Sequence, residues 1–111
     1  MIDAFLIFNI PYEFETENLD DLYYKKIKEN VDLEAVNLAY QFLKDPIKKL
    51  FFLCEKHGET AIDKQIIKDV FNSKNTLKQE LDEAINAAKK HDWKLCWYNL
   101  QKYQYLKKRT Q

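Results

Sequence analysis

Apolar residues recur three and four positions apart along most of the chain, the period of helices with one buried face. Thr16 is placed to cap a helix that turns Leu19, Leu22, Tyr23 and Ile27 inward. Its first turn holds Glu17, Asp20 and Asp21 and its last turns hold Lys25, Lys26 and Lys28, the order a helix dipole favours, and it should end near Asn30. Asp32 caps a second helix carrying Leu33, Val36, Ala39, Tyr40 and Leu43. Asp45-Pro46 starts a third with Ile47, Leu50, Phe51, Leu53 and Cys54, which meets a left-handed stop at Gly58. Ahead of these, Asp3 to Phe8 is short and strongly apolar, which fits a strand or a buried helix equally.

After the polar link Glu59-Thr60, a long helix is expected from about Asp63 to Lys90, with Ile66, Val70, Leu77, Leu81, Ala84, Ile85 and Ala88 on one face. Asn72 to Asn75 interrupt that face, so a kink or an exposed stretch is predicted there. His91-Asp92 makes a turn, Asp92 caps, and Trp93, Cys96, Trp97, Leu100 and Tyr103 form the stripe of a last helix folding back as an antiparallel hairpin. Tyr98 and Tyr105 make a second aromatic line on it, read as a packing edge. The expected fold is therefore all-α: residues 1–58 as one helical part and 62–110 as a C-terminal hairpin. Phe5, Phe8, Leu22, Tyr40, Leu43, Leu50, Phe51 and Leu53 are the expected core of the first.

Composition narrows the chemistry. With 111 residues, one Gly and two Pro, the chain suits one compact helical protein and has no Gly-rich phosphate loop. No apolar run approaches the roughly 18 to 20 residues of a membrane span, and the start lacks the basic flank of an export signal, so a cytoplasmic protein is expected. Eighteen basic and eighteen acidic residues cancel, which argues against nucleic acid or anionic lipid as partner. The charges are nonetheless uneven: residues 1–24 hold Asp3, Glu13, Glu15, Glu17, Asp20 and Asp21 and no Lys or Arg. Such asymmetry can orient a protein partner.

Cys54-x-x-His57 and His91-x4-Cys96 contain every Cys and His of the chain, and four such ligands are the number a structural zinc site uses. Cys54 also falls on an apolar stripe and His57 precedes a helix end, so reduced core thiols and end-of-helix histidines explain the same four residues without metal or cofactor. Glu80, Asp82 and Glu83 read as a solvated helix face. No nucleophile, base and oxyanion site converge, and no enzymatic activity is expected.

The stretch AVNLAYQFLKDPIKKLFFLCEKHG, Ala35 to Gly58, resembles the J-domain co-chaperones, specifically the HscB family that serves iron-sulfur cluster assembly. Asn37, Ala39, Tyr40, Leu43, Asp45-Pro46 and Lys49 fit the general J-domain pattern. Phe52-Leu53 and His57-Gly58 carry the HscB character. FLIFNIPYEFETENLDDLYYKKI looks like that family's first two helices, KQELDEAINAAK like the first helix of its C-terminal domain, and LQKYQYLKKR like its last. The His-Pro-Asp tripeptide by which J-domains trigger a DnaK-type ATPase is absent, and Ile27 to Leu33 leaves no room for its loop. The C-terminal domain is expected to be shortened from the family's three-helix bundle to a hairpin.

The resemblance implies protein partners: a DnaK-type chaperone touched by Lys25, Lys26 and Lys28, and an IscU-type scaffold held through Phe71, Glu83 and Tyr105. Asn72 and Asn75 stand where the family has apolar residues, Thr76 and Gln79 where it has acidic ones. The implied role is a non-catalytic co-chaperone or adaptor that cannot stimulate the chaperone ATPase. The alternatives are a regulatory J-like protein that pairs with a genuine J-protein and a purely structural interaction module. A monomer is favoured over a homodimer.

Overall fold

The computed structural model describes residues 3–29 and 32–109. Among them are seven helices and no strand: α1 (Ala4–Phe8), α2 (Leu19–Lys28), α3 (Leu33–Lys44), α4 (Pro46–Lys56), α5 (Ile66–Asn72), α6 (Leu77–Lys89) and α7 (Trp93–Arg109). The all-α class expected from the sequence is the one found. The chain divides into two compact units, residues 1–49 and 50–111. That division falls inside α4, not at the polar link after Gly58, because the second half of α4 lies against α7.

In the first unit, one carboxylate organises the opening turn. Asp3 accepts the backbone N–H groups of Phe5 and Leu6 at 3.0 and 3.2 Å, which starts α1 as a helix, and its other oxygen accepts the Tyr12 hydroxyl at 2.6 Å. That hydrogen bond also raises the Tyr12 pKa. Asn9 ends the helix in the left-handed region at φ 54°. Ala4, Phe5 and Phe8 are buried, as are Val36, Ala39 and Leu43 of α3, and the two helices pack together.

The α2–α3 pair is held differently. No residue of α2 is fully buried, and Tyr23 and Tyr40 stack tilted at 4.5 Å, the former donating to Asn37 and the latter to Asp20. Tyr40 is therefore a half-buried clamp and not a core aromatic, Leu22 is also half-buried, and Leu33 is exposed. Thr16 does not cap α2. Asn18 takes that position at φ 48° without a side-chain bond, and the Thr16 hydroxyl accepts from Lys49 instead. Asp32 and Asp45 do cap α3 and α4 as expected. Of the expected end of α2, Asn30 lies outside the described residues.

The second unit differs from the expected hairpin. Where one long helix was predicted over about 63–90, α5 and α6 are separate, so the unit has three helices after α4. The break is built by a capping box: Thr76 Oγ1 accepts the Gln79 N–H at 3.2 Å while Gln79 Oε1 accepts the Thr76 N–H at 2.7 Å. Both α5 and α6 pack on α7. The turn between α6 and α7 places His91 at φ 59°, with the His91 and Asp92 N–H groups bound by Ala88 and Ala87 carbonyls, and Asp92 then caps α7. Gly58 ends the preceding α4 at φ 84°. Ala84, Ala87 and Ala88 of α6 and Cys96, Leu100 and Tyr103 of α7 are buried, together with Leu50, Phe52, Leu53 and Cys54 of α4. No described helix is long and apolar enough to cross a membrane.

Candidate functional site

The surface best suited to function in the second unit is a groove along α7, made where the Glu59 to Gln65 link crosses that helix. The Trp97 indole N–H donates to the Ala61 carbonyl at 2.6 Å, and the Asp63 N–H donates to Gln101 Oε1 at 3.0 Å. Between these two pins Ile62 is left 85% exposed. Cavities of about 650 and 500 Å3 adjoin it and share Ile62, Asp63, Lys64, Trp97 and Gln101. The first reaches Leu95 and Tyr98, the second Ile66, Ile67 and Tyr105.

Charged residues of both signs line the groove in equal number. Asp63 and Asp92 spend their carboxylates on the backbone N–H groups of Gln65 and Leu95, at 2.9 and 3.1 Å. Lys64, Lys94 and Lys108 line the groove together with Glu59, Asp63 and Asp92. The lining contains neither Cys nor His. An apolar floor with a rim of mixed charge is suited to holding a protein segment.

Of the residues assigned to client binding, Phe71 on α5 is 76% exposed and carries the Arg109 guanidinium at 5.8 Å over its ring. Tyr105, one turn before Arg109 on α7, is half-buried and lines the second cavity. Phe71 and Tyr105 thus belong to two helices packed on each other. Glu83 sits on α6, exposed, and accepts from Asn75 at 3.5 Å. Thr76 and Gln79, which the resemblance alone would set on acidic positions, form the capping box of α6. Of the residues assigned to chaperone contact, Lys25 and Lys28 are exposed at the end of α2, and Lys26 pairs with Glu29 at 3.1 Å.

Three polar features escaped the sequence. Glu80, expected on a solvated face, is 1% exposed and lies 3.3 Å from Lys102 of α7. Its Oε2 gains that charge contact without hydrogen-bond alignment. Tyr98 donates to Asp69, and burial together with that bond pushes its phenol up to about 12. In the first unit, buried Lys49 donates to Thr16 Oγ1 at 3.0 Å and lies 5.0 Å over the Phe14 ring. Desolvation lowers its pKa to about 8. Isolated acidic or basic letters carry no sign of burial, and the position of Glu80 four residues before buried Ala84 does not by itself tell a buried carboxylate from a solvated one.

The four candidate metal ligands separate into pairs. Cys54 and Cys96, both free, approach to 3.5 Å between sulfurs. His57 stacks on Trp93 at 4.2 Å with planes 7° apart, and the His91 ring lies 6.3 Å from the same indole. Among the described residues, no group of three or more His, Cys, Asp or Glu is arranged to hold a metal ion. No protein-family model, curated protein or solved structure matches the chain.

Proposed function

We propose that the chain is a non-catalytic, HscB-like co-chaperone or adaptor in iron-sulfur cluster assembly or chaperone-assisted protein maturation, which holds a protein partner and leaves a DnaK-type ATPase unstimulated. The helix order carries this role. A short capped α1, the α2–α3 pair and an Asp45-capped α4 are followed by three further helices, the order that the resemblance implies for a J-like part and a client-binding part. The joint between α2 and α3 spans only Glu29 to Asp32 and has no His-Pro-Asp, which accounts for the missing trigger. Exposed Phe71 and the apolar strip of Ile62, Trp97 and Tyr105 supply contact area that a folded partner can bury.

Two assays on the full chain test this role. Single-turnover ATP hydrolysis by a DnaK-type chaperone should be unchanged with or without an IscU-type scaffold, while labelled protein titrated with scaffold or chaperone should show saturable binding. Several-fold stimulation would overturn the non-triggering part of the proposal. Failure to bind either protein overturns the adaptor part, and selective retention of a second J-protein from native lysate replaces it with regulatory pairing.

A further inference from the structure

The chain has two cysteines, 42 positions apart, and the fold sets them face to face. They belong to a ladder between the second half of α4 and the first half of α7. Phe51 meets Trp97 edge to face at 5.8 Å, Cys54 meets Cys96 at 3.5 Å between sulfurs, and His57 stacks on Trp93 at 4.2 Å. Positions 51 and 54 lie on one face of α4 with His57 just past its last residue, and 93, 96 and 97 lie on one face of α7, so each side-chain pair fixes the helix rotation that the next one needs. Both cysteines are 0% exposed. The Cys54 thiol also lies 4.0 Å from the Trp93 carbonyl, within reach of a weak hydrogen bond.

We propose that Cys54 and Cys96 are a reversible redox pair that closes to an intramolecular disulfide joining α4 to α7. The sulfurs stand about 1.5 Å farther apart than the roughly 2.05 Å of a bond, a distance that side-chain rotation and a small helix adjustment can close. The oxidant is a low-molecular-weight disulfide, RSSR. One cysteine thiolate attacks it, forms a mixed disulfide and expels RS⁻, which takes up the proton lost by the attacking thiol. The second cysteine, likewise deprotonated, attacks the protein-bound sulfur of that mixed disulfide and expels the second RS⁻, protonated in turn. Two cysteine thiols thus become one S–S bond while RSSR is reduced to two RSH.

The surroundings determine how such a pair behaves. The hydrogen bond that Cys54 donates to Cys96, together with burial, raises the Cys54 pKa, so the closed structure presents a protonated, shielded thiol. Attack on an external disulfide therefore proceeds through local opening of the α4–α7 ladder, and the second step becomes intramolecular as soon as the ladder closes again. The bond would enclose α5 and α6 within a covalent loop. Trp93 and Trp97, the only tryptophans in the chain, flank the pair and would report its state, since a disulfide quenches nearby indole emission.

The test uses the full chain, equilibrated in glutathione buffers of graded redox ratio with enough urea to permit opening but not unfolding, then quenched in acid. The expected result is a monomer lighter by two hydrogens, with a peptide joining Cys54 to Cys96, lower tryptophan emission, a raised Tm and full reversal by dithiothreitol. In Cys96→Ser the same buffers should yield only the glutathione mixed disulfide at Cys54. The proposal is overturned if the native chain keeps two titratable thiols in fully oxidised glutathione. It is equally overturned if it accumulates mixed disulfides or disulfide-linked dimers in place of the internal bond.

Discussion

Glu80 and Lys102 meet 3.3 Å apart with side chains 1% and 11% exposed, a buried charge pair joining the first turn of α6 to the second half of α7. Burial makes removal of one partner costlier than removal of both, because the charge left behind loses its counter-ion and keeps only a weak neighbour, Ser73 for Glu80 and the Tyr98 ring for Lys102. Lys102→Met should destabilise the protein by about 3 to 5 kcal/mol, whereas the double change Glu80→Leu with Lys102→Met should fall within about 2 kcal/mol of the parent. Urea unfolding of the two variants and the parent measures both. Equal losses in the single and double variants would show that Glu80 carries no penalty when left without Lys102.

Lys49 makes a pH-dependent contribution of opposite sign to a salt-bridged lysine. Its pKa is about 8 in the folded chain against an ordinary value of 10.5, so between these pH values the unfolded chain binds more protons. Below about pH 8 the ammonium is charged in both states and burial opposes folding in full; as pH rises from about 8 towards 10.5 the opposition is relieved. Lys49→Met should raise stability at pH 7 by up to about 3 kcal/mol and flatten this rise. Comparing unfolding midpoints of parent and variant at pH 7, 8.5 and 10 isolates this group from the other lysines and tyrosines. A difference that does not change with pH would place the amine in water.

Tyr40 clamps α2 to α3 from a half-buried position. Tyr40→Ala should therefore cost about 1 to 2 kcal/mol, below the roughly 3 to 5 kcal/mol typical of a fully buried large aromatic. Tyr40→Phe, which keeps the contact with Tyr23 and loses the bond to Asp20, should account for about 1 kcal/mol of that. Thermal or urea unfolding separates the ring from the hydroxyl.

Phe71 can be removed with little harm to the fold because it is 76% exposed. Phe71→Ala should change stability by no more than about 0.5 kcal/mol while weakening scaffold binding by about 1 to 3 kcal/mol. Tyr105→Ala should weaken binding by a similar amount, and Asn72→Met should strengthen it. Isothermal titration of each variant with an IscU-type scaffold provides the measurement, and unaltered affinity in both alanine variants would remove this face from the interaction.

Much of the fold was legible because its start and stop signals are local. Asp32, Asp45 and Asp92 cap where their spacing to the next apolar residues said they would, and Gly58 stops α4. The division between α5 and α6 was legible too, since Thr76-x-x-Gln79 is a capping-box pattern, but apolar residues on both sides continued one stripe and hid it. The polar interior was not. A Glu four residues before Ala84 reads as solvent-facing unless Lys102, 22 positions away, is known to oppose it. The groove was illegible for a similar reason: hydrogen bonds from Trp97 and to Gln101 hold Ile62 outward, and no periodicity encodes the path of the link between α4 and α5.

The three-residue turn at Lys90 to Asp92 also sets an order of assembly. Contacts between α6 and α7 close over short stretches of chain and need little loop entropy, whereas the ladder between α4 and α7 cannot form until the 41 residues between the two cysteines have found their place. The α6–α7 pair is thus the natural folding nucleus, with substitutions at Ala84 or Leu100 slowing refolding and those at Phe51 or Cys54 chiefly speeding unfolding. Stopped-flow chevrons of Ala84→Gly and Phe51→Leu distinguish the two classes. During synthesis, Cys54 emerges well before its partner, so a thiol that ends up fully shielded stands exposed while the rest of the chain is still being made.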